Sequence, residues 1–139
     1  MGSISVFGLD ELLGDLDSLA KLPDSVTDGM LEAEADVIAA AQQAQAAKMW
    51  TGDYATGTTA RSIKKGKVKK TGLGKSITVA PTGTNKRGTR NAEVAFINEY
   101  SKKGQPGRPA IRTANEQKEK EAVEAGEKVY HAYLDGKNL

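Results

Sequence analysis

Two glycines and two prolines fall within the six residues Gly104 to Pro109. Glycine admits dihedrals closed to other residues, and proline fixes φ and removes a donor, so no regular element runs through this stretch. On its N-terminal side, Ala92, Val94, Phe96 and Tyr100 fall on one side of a period-two ladder, with Ala95 and Ile97 on the other. That alternation predicts a strand, buried on both faces inside a sheet. On its C-terminal side a helix is expected over 109–134. Pro109 suits a first helical turn; alternatively Thr113 caps the helix and Glu116 closes a capping box. Ile111, Ala114, Ala122, Ala125, Val129 and Tyr133 line one face of it, and Glu116, Lys120 and Glu124 mark the wet side.

Upstream, Leu9, Leu12, Leu13, Leu16, Leu19 and Leu22 keep helical spacing and are backed by Asp10, Glu11, Asp15 and Asp17. Residues 1–22 therefore predict an amphipathic helix, ended by Pro23. Its leucine stripe either joins the core or docks on another subunit, which makes Leu9, Leu12 and Leu16 candidate interface residues. A longer helix is expected over 24–49, capped by Asp24 or Ser25, with Val26, Met30, Ala33, Val37, Ala40, Ala41, Ala44 and Ala47 as its apolar positions. Thr51 to Thr59 is a polar break leading into one helical turn. The 62–100 region reads as a basic sheet. Ile63, Val68, Ile77 and Val79 alternate with lysines around a Gly72-Leu73-Gly74 turn, and Thr82 to Asn91, which has no apolar residue, is expected to be a mobile loop.

The 139 residues fit one domain, 1–139, which hides roughly 68% of its unfolded surface on folding. The expected fold class is α+β, with a long N-terminal helix and a C-terminal helix packed on a small, mainly antiparallel β-sheet. Cysteine is absent, which excludes disulfides and thiolate metal sites and fits a reducing compartment or a particle assembled in one. No apolar run approaches the roughly 18 residues of a membrane span, and Asp10 and Glu11 are unlike a signal peptide. The expectation is a soluble protein made in a cytoplasm, without a membrane partner.

Net charge is +2, but its distribution is uneven: residues 1–60 carry −8, residues 61–112 carry +12 and residues 113–139 carry −2. A charge run of this kind is either solvated surface or a basic stripe that meets phosphates or the acidic face of a neighbouring subunit.

Tests for chemistry fail. Gly74-Lys75-Ser76 resembles the end of a phosphate-binding loop, but Lys69 stands where that motif needs glycine, and a strand pattern follows where it needs a helix. His131 is the only histidine and has no cysteine or second histidine to share a metal with. No carboxylate lies in an apolar context that argues for acid catalysis, and no serine occupies a nucleophile elbow. The sequence points to no cofactor, no metal and no enzyme. The basic middle has few aromatics for base stacking, so it supports only non-specific contact with nucleic acid.

The order of these motifs resembles a known family. A long helix, Thr56-Gly57 spaced four residues from Ser62-Ile63, a basic hairpin, Phe96-Ile97-Asn98-Glu99-Tyr100, Gln105-Pro106-Gly107-Arg108-Pro109-Ala110-Ile111-Arg112-Thr113-Ala114 and a final helix are similar to the small neck or tail-completion proteins of long-tailed bacteriophages, the head-tail joining or minor tail protein Z-like family. The resemblance spans roughly residues 26–134. It departs from the family pattern where Tyr100-Ser101 replaces Phe-Gly, where Ala110 and Thr113 replace a phenylalanine and a proline, and at Thr59, where leucine is common. The resemblance implies a non-catalytic virion protein at the tail or head-tail junction, synthesised in the host cytoplasm. It implies a homo-oligomeric ring, sixfold in the family, that contacts adjacent tail or connector proteins and through which genomic DNA passes. On that reading Lys64, Lys65, Lys67, Lys69, Lys70, Lys86, Arg87 and Arg90 are candidate DNA-channel or inter-ring contacts. Glu99 and Arg112, flanking the hinge, are candidates to pair within a subunit or across an interface. The alternative is a free, basic, nucleic-acid-associated protein.

Overall fold

The computed structural model describes residues 22–52, 55–72, 74–100 and 103–136. The leucine stripe before Leu22 lies outside the described residues. The fold is α+β: a long helix near each end of the described chain and, between them, a β-hairpin and two shorter helices.

Helix α1 spans Asp24–Met49. Neither Asp24 nor Ser25 caps it. The helix starts one residue earlier than a capping role for Asp24 requires, and the Pro23 carbonyl instead accepts the Val26 and Thr27 amides at 3.0 and 3.3 Å. The buried positions also differ from the expected stripe. Met30, Leu31, Glu34, Ala35, Ile38, Gln42 and Ala46 face inward, whereas Ala40, Ala44 and Ala47 are exposed. Alanine has the highest helix propensity and costs little on either side of a helix, so an alanine repeat does not mark the buried face.

The single turn α2, Thr58–Arg61, follows Gly57, whose φ of +77° is the left-handed conformation that glycine adopts without a Cβ clash. Strands β1 (Ile63–Lys65), β2 (Lys69–Thr71), β3 (Gly74–Ser76) and β4 (Val79–Pro81) form one hairpin in two ladders. In the inner ladder Ile63 pairs with Pro81 and Lys65 with Val79; in the outer, Lys69 pairs with Ser76 and Thr71 with Gly74. Residues 66–68 therefore oppose only 77 and 78, a bulge of one residue bridged by the Gly66 amide on the Thr78 carbonyl at 2.7 Å. Ile63, Ile77 and Val79 are turned into the core, and the Gln43 amide of α1 donates to the Ile63 carbonyl, fastening the hairpin to the helix.

The expected strand over Ala92–Tyr100 is a helix, α3, Asn91–Glu99. Asn91, Ala95 and Glu99 are its buried residues, four apart, so the operative period is 3.6 rather than 2. Of the expected mobile loop 82–91, residues 82–90 form a hydrogen-bonded turn and Asn91 opens α3. The Asn85 carboxamide oxygen accepts the Arg87 and Thr89 amides at 2.9 and 3.1 Å, and Thr84 bridges Arg90.

Helix α4, Ala110–Gly136, starts directly after Pro109 and runs past Leu134. It lies antiparallel to α1: Gln42 donates to Asn115 at 2.8 Å, Glu34 abuts Gly126, and Gly29 faces Val129. Its inward line Ala110, Ala114, Ala122 and Gly126 is small enough for the backbones to approach closely. Helix α1 is thus the centre of the molecule, covered by α4 on one side and by the hairpin on another.

Candidate functional site

Helix α3 is clamped at both ends, and the clamps decide which side chains face out. At its start Asn91 donates its side-chain amide to the Thr82 carbonyl at 2.8 Å and its backbone amide to the Gly83 carbonyl at 2.9 Å. At its end the Glu99 carboxylate turns inward and accepts the Ile111 and Arg112 amides at 2.8 and 2.9 Å. These are orphan donors of the first turn of α4, so a carboxylate from another helix does the work of an N-cap and offsets the positive end of the α4 dipole. With Asn91, Ala95 and Glu99 held inside, Phe96, Ile97 and Tyr100 must point out, and they are 64%, 49% and 59% exposed. The Phe96 and Tyr100 rings stack at a tilt with centroids 4.8 Å apart. Phe96 and Ile97 on the nine-residue helix and Tyr100 just after it form an exposed apolar cluster, a candidate interaction surface.

Beside this face lies a cleft of about 850 Å³, walled by Val94, Ile97 and Asn98 of α3, by the turn around Asn85 and by the chain from Trp50 to Arg61. Arg61, Lys86 and Arg87 stand on it, with no ion-pair partner among the described residues. The cleft floor is held by Arg108 of the glycine-proline hinge. Its guanidinium donates to the Met49 and Thr51 carbonyls at 3.1 and 2.7 Å and to Asn98 Oδ1 at 2.6 Å, while its carbonyl accepts the Trp50 indole N–H at 2.9 Å. Arg108 thereby satisfies carbonyls at the C-terminus of α1, where a cation is also favoured by the helix dipole.

The basic residues singled out in the sequence do not form one patch. Lys65 pairs with Asp36 at 2.9 Å, Lys70 lies 3.6 Å from Asp24, and Arg90 pairs with Glu93 at 2.6 Å. Lys64, Lys67 and Lys69 are exposed on the hairpin without an ion pair among the described residues. Lys86 and Arg87 sit on the turn near the opposite end of α1, a helix of 26 residues and so about 39 Å long. Lys75, in the middle of the Gly74-Lys75-Ser76 strand, has its ammonium gripped by Asp24 Oδ1 at 2.8 Å, Thr27 Oγ1 at 2.8 Å and Asp28 Oδ1 at 2.7 Å. The Asp24 carboxyl is held below its ordinary range, chiefly by that hydrogen bond from Lys75 and then by the charge of Lys70. Part of the acidic first third is therefore matched to the basic middle inside one chain.

Glu99 and Arg112 do meet, but through the Arg112 backbone amide; no ion pair joins their side chains among the described residues. The outward Phe96 and Tyr100 and the structural role of Arg108 were both missed from sequence. The spacing of Asn91, Ala95 and Glu99 carried the signal for the first; nothing local carried the second. Among the described residues no cluster of histidine or carboxylate groups could hold a metal ion, and no helix is long and apolar enough to cross a membrane.

Compared with known protein families, curated proteins and solved structures, the chain matches none.

Proposed function

We propose that the protein is a non-catalytic structural subunit of a long-tailed bacteriophage particle, a ring-forming neck or tail-completion component that joins the tail to the head-proximal connector around the DNA channel. The observation that carries this reading is the α3 face of Phe96, Ile97 and Tyr100, a large apolar surface left open on a subunit whose hinge and C-terminal helix start are tightly built. The sequence resemblance supports it, because its most specific residues, Phe96 to Tyr100 and Gln105 to Ala114, form that face, the Arg108 node and the capped start of α4. Light scattering on the purified chain, followed by negative-stain imaging alone and with purified tails, tests it: a ring or a tail-bound density is expected.

The nucleic-acid reading is favoured by one observation, that Lys64, Lys67 and Lys69 are exposed on the hairpin without an ion pair among the described residues. A chain that never joins a particle yet binds DNA with a steep salt slope supports that reading over the ring. Charge reversal at Lys86, Arg87 and Arg90 that leaves both assembly and DNA retention unchanged removes these residues from the channel.

A further inference from the structure

We infer that the outward face of α3 is the seat for the leucine-striped segment 9–19 of a second copy of this chain, in a head-to-tail contact. Three observations converge on that occupant. The seat is apolar at its centre, with Phe96, Ile97 and Tyr100 exposed, and basic at its border, where Arg61, Lys86 and Arg87 lack ion-pair partners among the described residues. The segment has the complementary pattern: Leu9, Leu12, Leu13, Leu16 and Leu19 on one stripe, with Asp10, Glu11, Asp15 and Asp17 flanking it and no lysine or arginine between them.

Reach then decides between the same copy and another. The seat adjoins Trp50 and the C-terminal end of α1, whereas the segment joins the chain ahead of Asp24, at the other end of the helix. Those ends are separated by about 39 Å. From Leu22 back to Leu19 the chain spans at most roughly 10 Å, and the stripe, as the helix its spacing predicts, adds about 15 Å. As the helix its spacing predicts, the striped segment with its link to Leu22 spans less than the length of α1, which favours a neighbour's seat over its own. Such a contact uses two different surfaces, so each subunit offers one free segment and one free seat, and repetition closes into a ring if the rotation permits. The inference deepens the ring reading and rests on it for its setting in a particle.

The test uses two full-length variants. Leu12→Glu with Leu16→Glu removes the segment's stripe and keeps the seat; Phe96→Glu with Ile97→Glu removes the seat and keeps the stripe. The Phe96 and Ile97 side chains are exposed, and circular dichroism checks that both variants keep their helices. By light scattering, the unchanged chain is expected as an oligomer, each variant alone as a monomer, and their equimolar mixture as a one-to-one dimer, since one intact segment and one intact seat remain. A monomeric unchanged chain, an oligomer retained by either variant, or two monomers that fail to pair on mixing overturns the inference. Loss of assembly in the Phe96 variant alone is the outcome for a symmetric face-to-face dimer or another partner, and it overturns the inference too. The readings separate on tails. A chain that pairs in this way but never joins a tail overturns the ring function alone, whereas tail binding undiminished in both variants overturns the docking contact alone.

Discussion

The Glu99 carboxylate accepts the backbone amide of Ile111 at 2.8 Å from across the glycine-proline hinge, and with the Arg112 amide it closes the first turn of α4. The hinge residues cannot supply that cap, because Pro109 precedes the helix and Thr113 lies inside it. Glu99→Ala leaves two amides without an acceptor, one of them on a buried residue, and should cost about 1–2 kcal/mol. That loss is read as a drop in midpoint on urea unfolding, and Glu99→Gln, with one acceptor left, should fall between the two.

Glu34 presents the opposite situation. Its carboxyl is buried against Gly126, one oxygen has no hydrogen-bond partner among the described residues, and burial, helped by the charge of Glu127, pushes its pKa up to about 8 from an ordinary 4.5. The folded state therefore holds a proton that the unfolded chain releases. Stability from this group is complete below about pH 4.5, declines as pH rises towards 8, and is gone above it. Glu34→Gln should match the unchanged protein near pH 5 and exceed it by on the order of 1–2 kcal/mol above pH 8, as measured by thermal unfolding across that range.

Gly126 offers a test of the same contact from the other side. A Cβ there would stand 3.0 Å from Glu34 Cγ and 3.1 Å from its Oε1. Gly126→Ala gains about 1 kcal/mol of helix propensity but must displace a buried side chain, so a net loss of about 1–2 kcal/mol is expected. In a Glu34→Ala background the obstruction is gone and the same change should stabilise. A double-mutant cycle without that reversal of sign would count against the contact.

At the hairpin tip, Lys75→Met removes the ammonium shared by Asp24, Thr27 and Asp28. Faster hydrogen exchange is expected across β2 and β3, with the β1–β4 ladder unchanged. The lowered Asp24 pKa means that this clip is present above about pH 4, near the ordinary value of 3.8, and lost as pH falls through the depressed folded value. The variant should show a weaker acid dependence than the unchanged chain.

The two long helices and the small antiparallel sheet were legible because their signals repeat or stop sharply: Pro23 before α1, the glycines around the β2–β3 connection, and the hinge before α4. Helix α3 was not legible. Over nine residues a period of 2 and a period of 3.6 overlap, and Val94, Phe96 and Ile97 look like buried strand until Asn91, Ala95 and Glu99 are seen to be the anchored positions. The buried face of α1 was hidden because alanines advertised the wrong side while Glu34 and Gln42 occupied the right one. As for the site, the charges of Lys86 and Arg87 were visible in sequence, but the direction of Phe96 depends on clamps to Thr82 and Ile111. Arg108 reads Met49 and Thr51, more than fifty positions away, and no local pattern carries that pairing.

The antiparallel pairing of α1 with α4 has a consequence for how the molecule forms. The chain leaves the pair at Trp50 and returns at Arg108, joined there by the indole hydrogen bond and by the Arg108 guanidinium on the Met49 and Thr51 carbonyls, so the hairpin and α3 amount to one long loop closed by two helices. Closing a loop costs entropy that rises only with the logarithm of its length, but contacts between distant residues slow the search for the native state. The rate-limiting event expected for this fold is the meeting of its first and last helices, with Gly126 settling over Glu34.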